Sequence, residues 1–178
     1  PLTVGLDFNV SPMSAVIMVK TADGLHAIDD IALHSSNTNE MIEEIRNRYP
    51  GNPITAFPDP AGVQRKTSAN GNTDIRLLEM AQGFTVRYHR AHPLIKDRIN
   101  AANSLFYKRE DGTTRFYIDP KCKNTIKSLK NYSYKEDSQV PMKGEFDHMF
   151  DALTYPIEFL FPIQKPVPRP ESMINSVA

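Results

Sequence analysis

The chain has 178 residues and 20.1 kDa, with 40% hydrophobic and 24% charged residues, the size and balance of one globular domain able to bury a core. No apolar run approaches the roughly 18 residues of a membrane span, PLTVGLDFNV at the N-terminus has neither the basic region nor the cleavage site of a signal peptide, and a single cysteine, Cys122, excludes an internal disulfide and a cysteine-rich zinc site. The 21 basic and 21 acidic residues cancel overall but not locally, since residues 87–135 hold 12 basic against 4 acidic side chains between two acidic flanks. Such a pattern suits a polyanion-binding surface beside a carboxylate cluster, or a set of solvated helix faces.

In chain order, Leu2–Leu6 reads as a buried strand ending at Asp7, Ser14–Val19 as a second strand, and His26–Leu33 as a third after the Ala22-Asp23-Gly24 turn. Short turns between them predict an antiparallel meander. Asn37 with Glu40 three residues on marks a helix start, and Met41, Ile42, Ile45 and Tyr49 form its apolar stripe up to Pro50-Gly51. Ile54–Phe57 predicts a strand before Pro58-Asp59-Pro60, followed by a polar loop at Thr67–Thr73, a helix over 74–82 and a strand at Phe84–Val86. Helices over 94–106, from Asp119-Pro120 to about 129, and from about 145 toward 161 complete the pattern, with a strand at Arg115–Ile118. Pro156 is expected to kink or loosen the last helix, and Pro162–Pro170 to be extended. The domain is therefore expected over 1–161, with a Pro-rich tail at 162–178. The whole is a mixed α/β layer structure. Because the chain opens on a strand with no initiator Met, it is expected to be an excised or processed domain.

Asp7 and Asp59 lie at strand ends, where ligands bind in α/β sheets, while Asp147, His148 and Asp151 share one edge of the last helix. Were that helix to cross the sheet, its carboxylates would meet Asp7 and Asp59. Clustered carboxylates repel unless cations neutralise them, and hard divalent ions with oxygen ligands fit that role. Taken singly, an Asp at a strand end is more often a cap or turn residue, Asp59 between two prolines reads as a turn, and Asp147 reads as a helix N-terminal charge favoured by the macrodipole. His89 and His92 read as loop-flanking residues, and no nucleophile partner for Cys122 is visible. Lys121, Lys123, Lys127 and Lys130 either hold phosphates or solvate a helix.

Val4-Gly5-Leu6-Asp7-Phe8, Pro58-Asp59-Pro60-Ala61-Gly62 and the stretch from Asp147 to Tyr155 together resemble the nuclease domain of phage terminase large subunits. Lys96–Asn103 and the Ile118–Leu129 stretch resemble further segments of that family, so that the likeness runs over about 3–160. The resemblance implies an RNase H-like fold, with a central mixed sheet of meander and parallel strands flanked by helices. It further implies a Mg²⁺- or Mn²⁺-dependent endonuclease that cuts concatemeric viral DNA during packaging with two ions. Matched by motif, Asp7, Asp59 and Asp151 take the catalytic metal-ligand positions, with His148 and Asp147 as further candidates. Lys143, Lys121, Lys123, Lys127 and Arg98 are the candidate contacts to double-stranded DNA. Implied partners are an ATPase motor, the portal and the small terminase subunit, in the host cytoplasm and with no membrane. No Gly-x-x-x-x-Gly-Lys-Ser/Thr loop occurs, so the chain itself is not expected to hydrolyse ATP. Two rival readings are an actin-like or sugar-kinase-type ATPase and a non-catalytic RNase H-like DNA- or portal-binding module.

Overall fold

In the strand β2 (Met13–Lys20), successive buried side chains serve opposite faces of a sheet, as strand geometry requires. Ala15 and Ile17 pack with Leu2, Val4 and Leu6 of β1 (Leu2–Asp7) against α1 (Thr38–Arg48) and α2 (Asp74–Met80). Val16 and Met18 pack on the other face against α3 (Ile95–Phe106) and α5 (Asp147–Leu160), together with Cys122, which precedes α4 (Lys123–Asn131). The computed structural model describes residues 1–64, 72–138 and 140–163.

The remaining strands are β3 (Leu25–Leu33), β4 (Ile54–Pro58), β5 (Phe84–Val86) and β6 (Phe116–Ile118), giving the sheet order β5-β4-β1-β2-β3-β6. β1, β2 and β3 form the expected antiparallel meander, whereas β1–β4, β4–β5 and β3–β6 pair in parallel. Among the described residues, no helix is long and apolar enough to cross a membrane.

Asn37 caps α1 as its spacing predicts, accepting from Asn39 N at 3.0 Å and Glu40 N at 3.2 Å. Two helix starts differ from expectation. Asp119 does not cap α4: its carboxylate accepts from Lys121 N in a local turn, and the helix begins at Lys123. The physical reason lies on β3, where Asp30 Oδ2 accepts from Thr125 N at 2.8 Å and from the Thr125 hydroxyl at 3.0 Å. A carboxylate distant in sequence thus satisfies one of the free N–H groups of the first turn. α5 begins at Asp147 rather than near Glu145, and it continues through Pro156 to Leu160. Most of the predicted polar loop and the tail from 164 onward lie outside the described residues.

Candidate metal centre

On β1 the residues facing α5 are Thr3, Gly5 and Asp7, the parity opposite to core residues Leu2, Val4 and Leu6. Gly5 sits under Ala152 and Pro156, and Asp7, two residues further along the strand, meets His148, one helical turn earlier on α5. The helix therefore runs against the strand, and its N-terminal turn overhangs the strand's carboxyl end. β4 supplies the next side chain by register. Leu6 pairs with Pro58 in parallel, and Asp59 N donates to Leu6 O at 2.9 Å, so Asp59 follows beside Asp7. Asp7, Asp59, Asp147, His148 and Asp151, with Lys143, line one cleft of about 360 Å³.

Asp7, Asp59 and Asp151 each meet a protein partner in the cleft. Asp7 Oδ2 lies 3.0 Å from His148 Nδ1, and the Asn9 amide nitrogen contacts the same ring. Asp59 Oδ1 accepts from Ala61 N at 2.8 Å, capping a 3₁₀ turn at Pro60–Val63, and lies 3.1 Å from His92 Nε2. Asp151 Oδ1 accepts from Arg98 Nη1 at 2.6 Å. Asp147 Oδ1 is buried without a hydrogen bond, 3.5 Å from His148 Nε2.

Compensation is incomplete. Burial pushes the Asp7 carboxyl above its ordinary range, the bond and charge of His148 pull it down, and the charges of Asp59 and Asp147 push it up again. Burial likewise raises Asp151, opposed by Arg98 and reinforced by Asp7 and Asp147. His148 is raised above its ordinary value, chiefly by its bond to Asp7. Extra positive charge placed here would relieve that repulsion, and the donors are the hard oxygens that Mg²⁺ and Mn²⁺ prefer, so the residues fit such an ion chemically. As the side chains stand, no group of three His, Cys, Asp or Glu converges closely enough to hold an ion among the described residues. They face the protein donors named above instead.

Lys143 lines the cleft, and Lys121, Lys123 and Lys127 are exposed on and beside α4. Lys127 is paired with Glu145 and lies over the Phe146 ring. Arg98 departs from the expectation of a DNA contact: its side chain is only 3% exposed and its charge is spent on Asp151, so it offers no surface to a phosphate. Asn9 is a site residue that sequence reasoning misses, although its two-residue spacing from Asp7 is a usable signal. His92, expected at a loop flank, does lie in a loop, yet it reaches Asp59 and the Tyr155 hydroxyl, at 3.2 Å.

A family model described as the Terminase RNaseH-like domain matches residues 4–158. A comparison with curated proteins finds no match. Among solved structures, the large terminase of a thermophilic bacteriophage is similar, with a TM-score of 0.67 and 14% identity over 89% of this chain and 39% of that one. The P22 large terminase nuclease domain gives a TM-score of 0.61 at 13% identity, covering 90% of this chain and 82% of that one. The g2p (large terminase) nuclease domain of bacteriophage SPP1, solved with bound Mn, gives 0.54 at 19% identity, covering 89% and 85%. The chain thus spans about two fifths of the length of the thermophilic phage protein. At these identities the structures share the fold, a mixed six-stranded sheet with flanking helices. By the match over residues 4–158, this chain belongs to the Terminase RNaseH-like domain family.

Proposed function

We propose that this chain is a divalent-cation-dependent DNA endonuclease domain that cuts concatemeric viral DNA during genome packaging. The observation carrying this reading is the meeting of Asp7, Asp59 and Asp151, from two strand ends and one helix, in a single cleft where Asp7 and Asp151 are raised by burial and by neighbouring carboxylates. Asp7, Asp59 and Asp151 would hold Mg²⁺ or Mn²⁺, two ions in the full site, with Asp147 and His148 beside them. When bound, such ions supply charge stabilisation for the attacking and leaving oxygens of phosphodiester hydrolysis.

The chain's own residues prepare that site. His148 holds the Asp7 carboxylate from α5 and is itself held by Asn9. Ala61 N and His92 orient Asp59. Lys143 at the cleft offers an ammonium to a scissile-strand phosphate, and the exposed lysines around α4 extend the cationic track. Such contacts to the backbone carry no base readout, in keeping with a sequence-tolerant enzyme. The Mn-bound SPP1 domain and the thermophilic phage large terminase, solved also with ATP-γ-S, support divalent-ion use and a motor domain as partner. The portal, the small subunit and a host-cytoplasmic setting belong to the same reading.

A second reading, a non-catalytic DNA- or portal-binding module, draws on the pairing of Asp7, Asp59 and Asp151 with His148, His92 and Arg98 and on the absence of a closed three-ligand group among the described residues. Incubating the chain with supercoiled plasmid and Mn²⁺ separates the two. Metal-dependent nicking that disappears in Asp7→Asn, Asp59→Asn and Asp151→Asn supports the nuclease. Duplex binding without any metal-dependent cleavage supports the module.

A further inference from the structure

Arg98 stands on α3, 53 positions from its partner, with a side chain 3% exposed. Its Nη1 donates to Asp151 Oδ1 at 2.6 Å and to the Thr154 hydroxyl at 2.9 Å. Thr154 completes the geometry by donating to Phe150 O at 2.9 Å, which turns its oxygen toward the guanidinium. Below, the guanidinium carbon lies 4.6 Å from the centre of the Tyr155 ring. Three residues of one helical turn of α5 thus fix one planar cation, and the cation fixes one oxygen of Asp151.

Stability alone does not account for this arrangement. The Arg98 Nε is buried without a hydrogen-bond partner, and a desolvated ion pair with an unsatisfied donor is commonly no more stable than a packed apolar replacement. What the contact does accomplish is orientational. With Oδ1 tied to Arg98, the Asp151 carboxylate cannot rotate freely, and its side chain remains a wall of the cleft, 21% exposed.

We infer that Arg98 is a positioning residue for the cation site: it clamps Oδ1 of Asp151 so that the other carboxylate oxygen stays available to the ion. This rests on the nuclease reading above. Groups standing behind metal ligands in this way typically change metal affinity or activity by roughly 10–100-fold when removed.

The test uses Arg98→Met, Arg98→Lys and Thr154→Val in the same chain, with Mn²⁺ binding followed by calorimetry and plasmid nicking followed as kcat and KM for DNA. Arg98→Met is expected to bind Mn²⁺ and to turn over roughly 10–100-fold less well, with KM for DNA unchanged. Arg98→Lys, which keeps the charge but loses the planar fork, should fall between, and Thr154→Val should show a smaller loss of the same kind. Unchanged or tighter Mn²⁺ binding by Arg98→Met would overturn the positioning role, as would a raised KM with kcat intact, which would make Arg98 a DNA contact. Should Arg98→Met fail to fold, Thr154→Val and Arg98→Lys decide: wild-type Mn²⁺ binding and kcat in both would overturn it. An unsubstituted chain that binds no Mn²⁺ and cuts nothing sinks the nuclease reading itself, and the clamp with it; a normal unsubstituted chain beside unaffected variants sinks only the clamp.

Discussion

The carbonyl oxygen of Ala152 occupies the place that a Cβ on Gly5 would need, only 1.8 Å from it, and Pro156 Cδ lies 2.8 Å from the same point. Proline at 156 has no N–H to return to Ala152 O, so this carbonyl faces the strand without its usual helical donor. Gly5 is thereby a spacing element: it lets α5 lie on β1 closely enough for His148 to reach Asp7.

Gly5→Ala is therefore expected to push α5 off the sheet. Forced overpacking costs about 3 kcal/mol or more at a site closed by backbone, and at this chain length each kcal/mol lowers Tm by about 2–4 °C. Thermal unfolding should show the loss, and metal-dependent cleavage should fall by more than the folded fraction explains, because Asp7 and His148 separate. A variant as stable and as active as the parent would show that the helix yields freely.

Much of this is legible in the chain itself. Asp7 and Asp59 are readable as strand ends because apolar runs stop at them, and the 147, 148 and 151 spacing puts those groups on one helix edge. The destination of Arg98 is not readable. In sequence it is one more cation in a basic segment, and only packing of α3 on α5 turns it inward to Asp151. The start of α4 misleads for a similar reason: Asp119-Pro120 carries every local mark of a cap, yet Asp30, on a strand nearly a hundred residues away, holds the helix end. Local chemistry predicts local turns well; pairings between distant charges depend on the finished fold.

The cleft should make stability fall as pH rises. Asp7 and Asp151 both sit above the ordinary carboxylate value of 3.8, so the folded state binds those protons more tightly and is disfavoured as they ionise. The raised His148 acts in the same sense, since its stabilisation is present below 6.5 and is lost as pH climbs through its folded value. Divalent ions bind the ionised carboxylates, so the increase in Tm on adding Mn²⁺ should be larger at about pH 8 than at about pH 5, and chelation should abolish it. Asp7→Asn should flatten both the pH slope and the Mn²⁺ response. Identical melting shifts at the two pH values would contradict the charge assignment.

Cys122 should be chemically silent while the chain is folded. Its side chain is fully buried beneath β3, its sulfur lies 3.6 Å from Ala27 O, and burial together with Asp30 and Asp119 pushes the thiol up to about 12. Ellman's reagent at about pH 8 is expected to find no reactive thiol in the native protein and one per chain in denaturant. Rapid native labelling would mean that α4 opens away from the sheet.

Exposed lysines around α4 give the most direct measure of how DNA lies on the domain. Lys121 and Lys123 are open to solvent, whereas Lys127 is already engaged by Glu145 and Phe146. If Lys121 and Lys123 meet phosphates, each Ala substitution should lower the slope of log affinity against log salt by about 0.9, and weaken all duplex sequences alike. Lys127→Ala should do less, because its charge is partly neutralised before DNA arrives. Fluorescence anisotropy with a short duplex in chelator, across a salt series, reads the slopes without cleavage. Slopes unchanged in Lys121→Ala and Lys123→Ala would move the DNA path off this helix and toward Lys143 at the cleft, where the Asp7 and Asp151 carboxylates would otherwise repel it.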